Sequence, residues 1–237
     1  MAVELAQLGP ELARLAPSEL VVSDSKEDAL RPVTEDFGIP LTTLGAAAFD
    51  SAAGLSRMTD LFKVGTLDAY GSFSRPEVGA MGALVEYLEI TQKGNLPLLR
   101  PPQQEAQAKT VQIDAATRRN LELPAGLSGG RTGSLLDAID HTVTAAGARL
   151  LERRISSPSR VLETVSDRLD AVAFVVADQE FCQSVRTKLR SVPDMDRALS
   201  RLSLDRGGPR DLTALRAGLT QALDLSALSQ ATFPTLL

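Results

Sequence analysis

The chain has few aromatic residues, one cysteine and one histidine among its 237 residues. It has no tryptophan, and its aromatic side chains come from seven phenylalanines and two tyrosines. The single cysteine, Cys182, excludes a disulfide within the chain and a cysteine-based zinc cluster. The single histidine, His141, excludes a multi-histidine metal site. We interpret Cys182 as a packing residue, and His141 as a local cap or ion pair with Asp137, four residues earlier.

Long apolar runs are also missing. The longest, 171–177, is far shorter than the roughly 20 residues that cross a bilayer. The N-terminus carries Glu4 and has neither the basic start nor the cleavable apolar core of a secretory signal. We therefore expect no membrane-spanning segment and a cytoplasmic location.

Lysine is scarce, and none of the five lysines follows a glycine. A phosphate-binding loop of the Walker type requires the sequence Gly-Lys before a serine or threonine, so that motif is absent from this chain. The nearest feature is the glycine-rich stretch 126–133, ahead of a predicted helix that opens at Ser134. Its backbone amides could attract an anion, and a plain flexible loop is the alternative.

The charge is unevenly distributed along the chain, whose net charge is −5. Residues 1–114 hold 9 basic and 16 acidic side chains, whereas residues 115–237 hold 16 basic and 14 acidic ones. The basic surplus of the second part is too small to predict nucleic-acid binding, which usually requires a concentrated basic face.

Hydrophobic residues make up 43% of the chain, and the abundant alanine and leucine favour packed helices. In the first part the spacing predicts a short helix at 11–16 and helices at 49–65 and 75–92. It also predicts a buried strand at 19–23 and a second extended piece at 31–37. Two strands are fewer than a self-contained α/β domain normally has, so this layer is expected to be incomplete.

The proline-containing stretch 97–109 has neither helical nor strand periodicity, and we interpret it as an inter-domain linker. After it the sequence predicts a strand at 110–113 and a turn with a short extended piece at 115–123. Six helices with regular apolar spacing are predicted to follow, at 134–140, 145–155, 160–177, 179–191, 195–204 and 210–230. Their unequal lengths argue against a helical-repeat protein.

Two of these helices carry clear apolar stripes. Pro209 is suited to the first position of the last helix, because no backbone N–H is needed there. The stripe of the helix at 160–177 comprises Leu162, Val165, Leu169, Val172, Ala173 and Val176. The stripe of the helix at 210–230 comprises Leu212, Leu215, Leu219, Ala222 and Leu223.

Three blocks resemble the MutS family of DNA mismatch-repair proteins: Ile113–Leu123, Thr144–Arg154, and Arg201–Leu204 through Pro209–Leu212. They occur in the order in which the family's lever (core) domain has them. The resemblance implies an α+β, mainly α fold. Residues 1–96 would be part of a ribonuclease-H-like α/β connector domain, 97–109 the linker, and 110–237 the first part of a helical lever domain, whose last helix would continue toward a DNA clamp.

The resemblance also implies a function. Full-length relatives bind mismatched double-stranded DNA as homodimers, hydrolyse ATP with Mg²⁺, and recruit a MutL-type partner in part through the connector. Their mismatch-reading and ATPase parts do not match this chain, so we expect it to be a scaffold that couples the two activities. We expect no enzyme activity, no cofactor, and no catalytic or metal-binding residue in the chain itself.

Two other functions remain open. The first is a free-standing helical adaptor for another protein, which would cover its apolar faces, whereas a fragment would expose them. The second is a metal-dependent nuclease that uses Asp24, Asp28 and Asp36.

The family-motif residues are expected to be mainly structural, through charge-assisted hydrogen bonds that tie strand to turn. Phosphate contacts are the alternative for Arg118, Arg119, the pair Arg153 and Arg154, and the pair Arg197 and Arg201. The small run 145–148 is expected to let a neighbouring helix approach closely. The motif residues are Asp114, Thr117, Arg118, Arg119, Asn120, Gly147, Arg149, Pro209, Arg210 and Asp211.

Overall fold

The structure is a computed structural model, and it describes residues 3–105 and 109–230. Within these residues the fold is mainly helical, with one two-stranded parallel sheet, so the predicted mainly α class of α+β fold is confirmed. Two units are distinguished, Met1–Gln107 with Gln112–Arg118, and Ala108–Val111 with Arg119–Leu237. The domain boundaries expected at 96 and 110 remain predictions, and residues 106–108 of the expected linker lie outside the described part.

The first unit contains a β-α-β segment, which one helix precedes and two longer helices follow. Strands β1 and β2 are parallel, with Leu20 opposite Leu41 and Ser23 opposite Leu44, and a helix connects them. The elements of this unit are α1 Leu5–Leu15, β1 Leu20–Ser23, α2 Glu27–Asp36, β2 Leu41–Leu44, α3 Ser51–Phe62 and α4 Arg75–Thr91, with short 3₁₀ turns at Asp24–Lys26 and Ala46–Phe49.

The extended piece predicted at 31–37 is wrong, because these residues belong almost entirely to α2. Pro32 and the β-branched Val33 and Thr34 suggested a strand. Thr34 is buried, and its hydroxyl donates to the carbonyl oxygens of Leu30 at 3.3 Å and Arg31 at 2.9 Å. Burial and this internal bonding therefore override the weak local preference.

Glycines bring α3 and α4 into backbone contact. A Cβ on Gly54 would lie 2.6 Å from the carbonyl oxygen of Val78, and a Cβ on Gly82 would collide with the Cα of Gly54. Arg57 spans the same crossing, donating to the Gly82 carbonyl at 3.0 Å and to Glu86 at 2.8 Å. The core beside it comprises Met58, Leu67 and Val85, with Leu61, Phe62, Val64, Tyr70, Phe73, Met81, Leu96 and Leu99 packed against it.

The later part of the chain follows the sequence prediction closely from residue 134 onward. Two earlier predictions are wrong: only Thr110 forms a strand-like bridge, with Ser159, and residues 115–120 are helical instead of extended. The helices are α5 Ala115–Asn120, α6 Leu135–Ile139, α7 Ala145–Ser156, α8 Leu162–Ala177, α9 Gln179–Arg190, α10 Met195–Ser203 and α11 Pro209–Gln230.

The apolar stripes of α8 and α11 are largely open to solvent. On α8, Leu162 is 79% exposed, Leu169 63% and Val176 69%, while Leu223 of α11 is 73% exposed. Helix α10 packs against α11, and Ala198 of α10 is buried. The stripes expected to be core faces are therefore not buried within the described part of the chain.

Candidate functional site: capped and ion-paired joints between helices

Asp114 is the N-cap of α5. Its carboxylate accepts hydrogen bonds from the Thr117 backbone N–H at 2.9 Å and from the Thr117 hydroxyl at 2.6 Å. These bonds hold the pKa of Asp114 below its ordinary value. The Asp-Ala-Ala-Thr spacing is a helix-start signal, which explains why this segment is helical and not extended. Arg119 and Asn120 lie on the exposed side of the same helix.

Arg118 points the other way and is 5% exposed. None of its three guanidinium nitrogens has a hydrogen-bond partner in the described part of the chain. Burial lowers the pKa of Arg118, nearby Arg14 lowers it further, and Glu11 opposes both effects. A buried arginine without an acceptor is costly, so Arg118 requires an explanation beyond simple packing.

The neighbouring acid and base of α1 are already paired. The Nε of Arg14 donates to Glu11 at 2.7 Å, and its two terminal nitrogens donate to Glu105 at 2.8 and 3.3 Å. Glu11 is only 3% exposed, whereas the side chain of Glu105 is about half exposed. Arg14 therefore has two carboxylate partners while Arg118 has none.

Arg149 joins α7 to the start of α10. Its two terminal nitrogens donate to the two carboxylate oxygens of Asp194 at 2.9 and 3.0 Å, and one also reaches Asp196 at 3.4 Å. Asp194 in turn caps α10 by accepting from the Arg197 backbone N–H at 3.3 Å. The Arg149 guanidinium is the main reason why the pKa of Asp194 is lowered. This fork-to-fork pair fixes the direction in which α10 leaves the preceding loop.

Gly147 serves the cap of α7. Its backbone N–H donates to the Thr144 hydroxyl at 3.0 Å, and a Cβ at this position would lie 2.9 Å from that same oxygen. At Gly147 the nearest neighbours are the side chains of Thr142 and Thr144, not another helix. For the rest of the run 145–148 the expected close approach stays a prediction.

The third motif forms the elbow between α10 and α11. Pro209 is the first residue of α11, as predicted, and Arg210 beside it is exposed. Asp211 accepts from the Gly208 backbone N–H at 2.9 Å and pairs with Arg201 at 3.3 Å. Arg201 also donates to the Arg206 carbonyl at 3.2 Å, so its guanidinium takes part in the elbow.

Where the glycine-rich loop meets α6, the backbone N–H groups are bonded within the chain. The backbone N–H of Gly133 donates to Asp137, that of Asp137 to the Ser134 hydroxyl, and those of Leu135 and Leu136 to the carbonyls of Glu122 and Leu123. The amides at the start of α6 are therefore used within the chain, and the anion hypothesis for the loop 126–133 stays a prediction. The carboxylate of Asp137 thus accepts a hydrogen bond from the last residue of the loop, Gly133.

The acidic residues proposed for a nuclease are not brought together. Asp28 lies in the first turn of α2 and Asp36 at its last position, about 12 Å apart along a helix. Asp24 precedes that helix and accepts from Ser25. Across residues 3–105 and 109–230 no group of three metal-ligating side chains is found. In the same residues no helix is both long and apolar enough to span a bilayer.

The first unit also has an open groove of about 520 Å³ beside α3 and α4. Apolar side chains such as Leu55, Leu67 and Phe73 form its floor, and Asp68 and Arg75 lie among its polar lining. The groove is separate from the motif residues.

Two stretches of the chain match models of known protein families. The family model for MutS domain II matches residues 2–100, and that for MutS domain III matches residues 116–235. The chain belongs to the MutS family. The domain III match contains all three motif joints apart from Asp114, which lies two residues before it.

Curated MutS proteins match along almost the whole chain. A DNA mismatch repair protein MutS from Roseobacter denitrificans is 64% identical over 222 residues, which cover 94% of this chain and 25% of the relative. The MutS proteins of Ruegeria sp. (strain TM1040) and Paracoccus denitrificans are 59% and 56% identical, over 100% and 94% of this chain and 27% and 25% of their own length. The chain thus spans about a quarter of the length of these relatives.

The structure places the MutS motif residues at helix starts and at ion pairs between helices. Sequence analysis singled out Arg118, Arg149 and Asp211 and missed their surroundings, namely Glu11, Arg14 and Asp194. Asp194 had a local signal, because it stands just before the helix at 195 and after Pro193. Glu11 and Arg14 had none, since they lie in a different helix far away in sequence.

Proposed function

We propose that this chain is the connector and lever scaffold of a DNA mismatch-recognition protein, coupling the binding of mismatched DNA to ATP hydrolysis elsewhere in the polypeptide. The match to MutS domains II and III carries this proposal. Coupling of this kind requires two arrangements of stiff elements. The ion pairs of Arg149 and Asp211 supply stiffness, because each one ties a helix to its neighbour, and Asp114 adds a cap that fixes the start of α5.

The alternative, a free-standing adaptor, is disfavoured by the exposed stripes of α8 and α11. An independent protein rarely leaves two such leucine and valine faces in water. We infer that the chain self-associates when isolated, which multi-angle light scattering over a range of concentrations would detect. Leu169→Lys, in the α8 stripe, should reduce association, whereas Glu163→Lys on the polar side of α8 should not. A monomer at all concentrations would favour the adaptor.

The remaining assignments follow from the family. We propose that the whole protein resides in the cytoplasm, binds mispaired double-stranded DNA as a homodimer, and uses ATP and Mg²⁺ at sites outside residues 1–237. A MutL-type partner is proposed to contact the connector. The groove floored by Leu55, Leu67 and Phe73 is a suitable apolar surface for that contact.

The direct test uses the purified 237-residue chain. Fluorescence anisotropy with homoduplex and heteroduplex DNA should show no preference for the mismatch, and an ATPase assay should show no hydrolysis above the buffer rate. Hydrolysis that survives further purification, or a clear preference for heteroduplex, would refute the scaffold assignment.

A further inference from the structure

The carboxylate of Glu11 lies near two arginines, Arg14 and Arg118, and it is hydrogen-bonded to Arg14. Arg118 is buried and has no hydrogen-bond acceptor among residues 3–105 and 109–230, while Arg14 is bonded to both Glu11 and Glu105. Moving Glu11 from Arg14 to Arg118 would leave each arginine with one carboxylate. The two pairings use the same four side chains and differ mainly in the position of one of them.

The chemistry makes both pairings realistic. Arg14 keeps a two-pronged bond with Glu105, so it does not depend on Glu11 for a partner. Glu105 is half exposed and its bond competes with water, whereas Glu11 is buried and its bond does not. Arg118 would gain a carboxylate by this move, while Arg14 would keep Glu105.

We propose that Glu11 exchanges between Arg14 and Arg118, and that this exchange is a two-position switch at the end of the first unit. Arg118 lies within α5, so a change of its partner acts on this helix. In the proposed scaffold this exchange would be one source of the two arrangements that coupling requires. That role rests on the proposed function, whereas the exchange itself does not.

The test is a double-mutant cycle in the 237-residue chain, with Glu11→Gln and Arg118→Met, measured as the equilibrium constant for urea unfolding of the first unit. The cycle is repeated in a Glu105→Gln background, in which Arg14 has lost the carboxylate of Glu105. We expect the two residues to be coupled by about tenfold in the parent chain and by under about threefold in the second background. Arg119→Met, at the exposed neighbouring position, is the matched control and should show no coupling to Glu11.

Two results would overturn the proposal. One is the absence of coupling between Glu11 and Arg118 in the parent chain. The other is equal coupling in both backgrounds, which would mean that the charges interact at fixed positions and do not exchange. Nitrogen-15 NMR of the arginine Nε–H groups gives an independent readout, since exchange predicts that the Arg118 signal shifts on Glu105→Gln. Neither measurement involves DNA or ATP, so failure here is distinguishable from failure of the scaffold assignment.

Discussion

Replacing Gly82 by alanine should destabilise the first unit, although alanine is the better helix former. The methyl group would meet the Cα of Gly54, and this backbone atom cannot swing aside as a flexible side chain would. Over-packing of a tight contact costs about 1–3 kcal/mol, and a backbone obstacle puts the cost near the upper end. Helix propensity returns about 1 kcal/mol. We therefore expect a net loss of roughly 2 kcal/mol.

Tyrosine fluorescence during urea unfolding isolates this effect. Both tyrosines, Tyr70 and Tyr87, belong to the first unit, and the chain has no tryptophan to mask them. Gly65→Ala is the control, because no atom lies within 4 Å of a Cβ built there, and it should leave the unfolding midpoint unchanged or raise it slightly. If Gly82→Ala were as stable as the parent chain, the close backbone contact between α3 and α4 at Gly82 would be refuted.

Three further predictions concern caps and ion pairs. Asp194→Asn should lower the protection of α10 amides from hydrogen exchange by about 1 kcal/mol, because it breaks the pair with Arg149, whereas Asp170→Asn on exposed α8 should not. Asp50→Ala should cost about 1 kcal/mol in urea unfolding, since its carboxylate caps α3 at 2.8 and 3.0 Å. The Thr142 hydroxyl and backbone N–H, with Arg131, lower the pKa of Asp140 to about 2, so its contribution to stability is present above pH 3.8, its ordinary pKa, and disappears as the pH falls through about 2. Asp140→Asn should flatten that part of the pH–stability curve, and an unchanged curve would contradict the assignment.

The sequence predicted the later helices well because their signals are local. The apolar spacing of α8 and the Gly-Gly-Pro sequence ahead of α11 place these helices within about two residues of their positions in the structure. Helix α2 was missed because Pro32 disfavours a helix interior and the β-branched Val33 and Thr34 favour a strand. The burial of Thr34 decides the outcome. Helix α5 was missed although Asp114 and Thr117 form a recognisable cap.

The joints were harder to predict than the helices. Motif comparison pointed to Arg149, yet its partner Asp194 lies 45 residues away, and no local pattern links the two. The same holds for Arg14 and Glu105, which are 91 residues apart. Side-chain pairing across such distances depends on how helices pack, so the partners of Arg149 and Arg14 could not be predicted from the sequence.

We propose above all that this chain couples the binding of mismatched DNA to ATP hydrolysis, two activities located in other parts of the protein. The most direct measurement is mismatch-stimulated nucleotide exchange in a chimera, in which this chain replaces the matching 222 residues of the Roseobacter denitrificans relative. With Asp194→Asn, heteroduplex affinity and basal ATP hydrolysis should persist while the stimulation by mismatched DNA falls by roughly fivefold or more. Undiminished stimulation, in a variant shown by hydrogen exchange to have loosened the joint between α7 and α10, would contradict the claim.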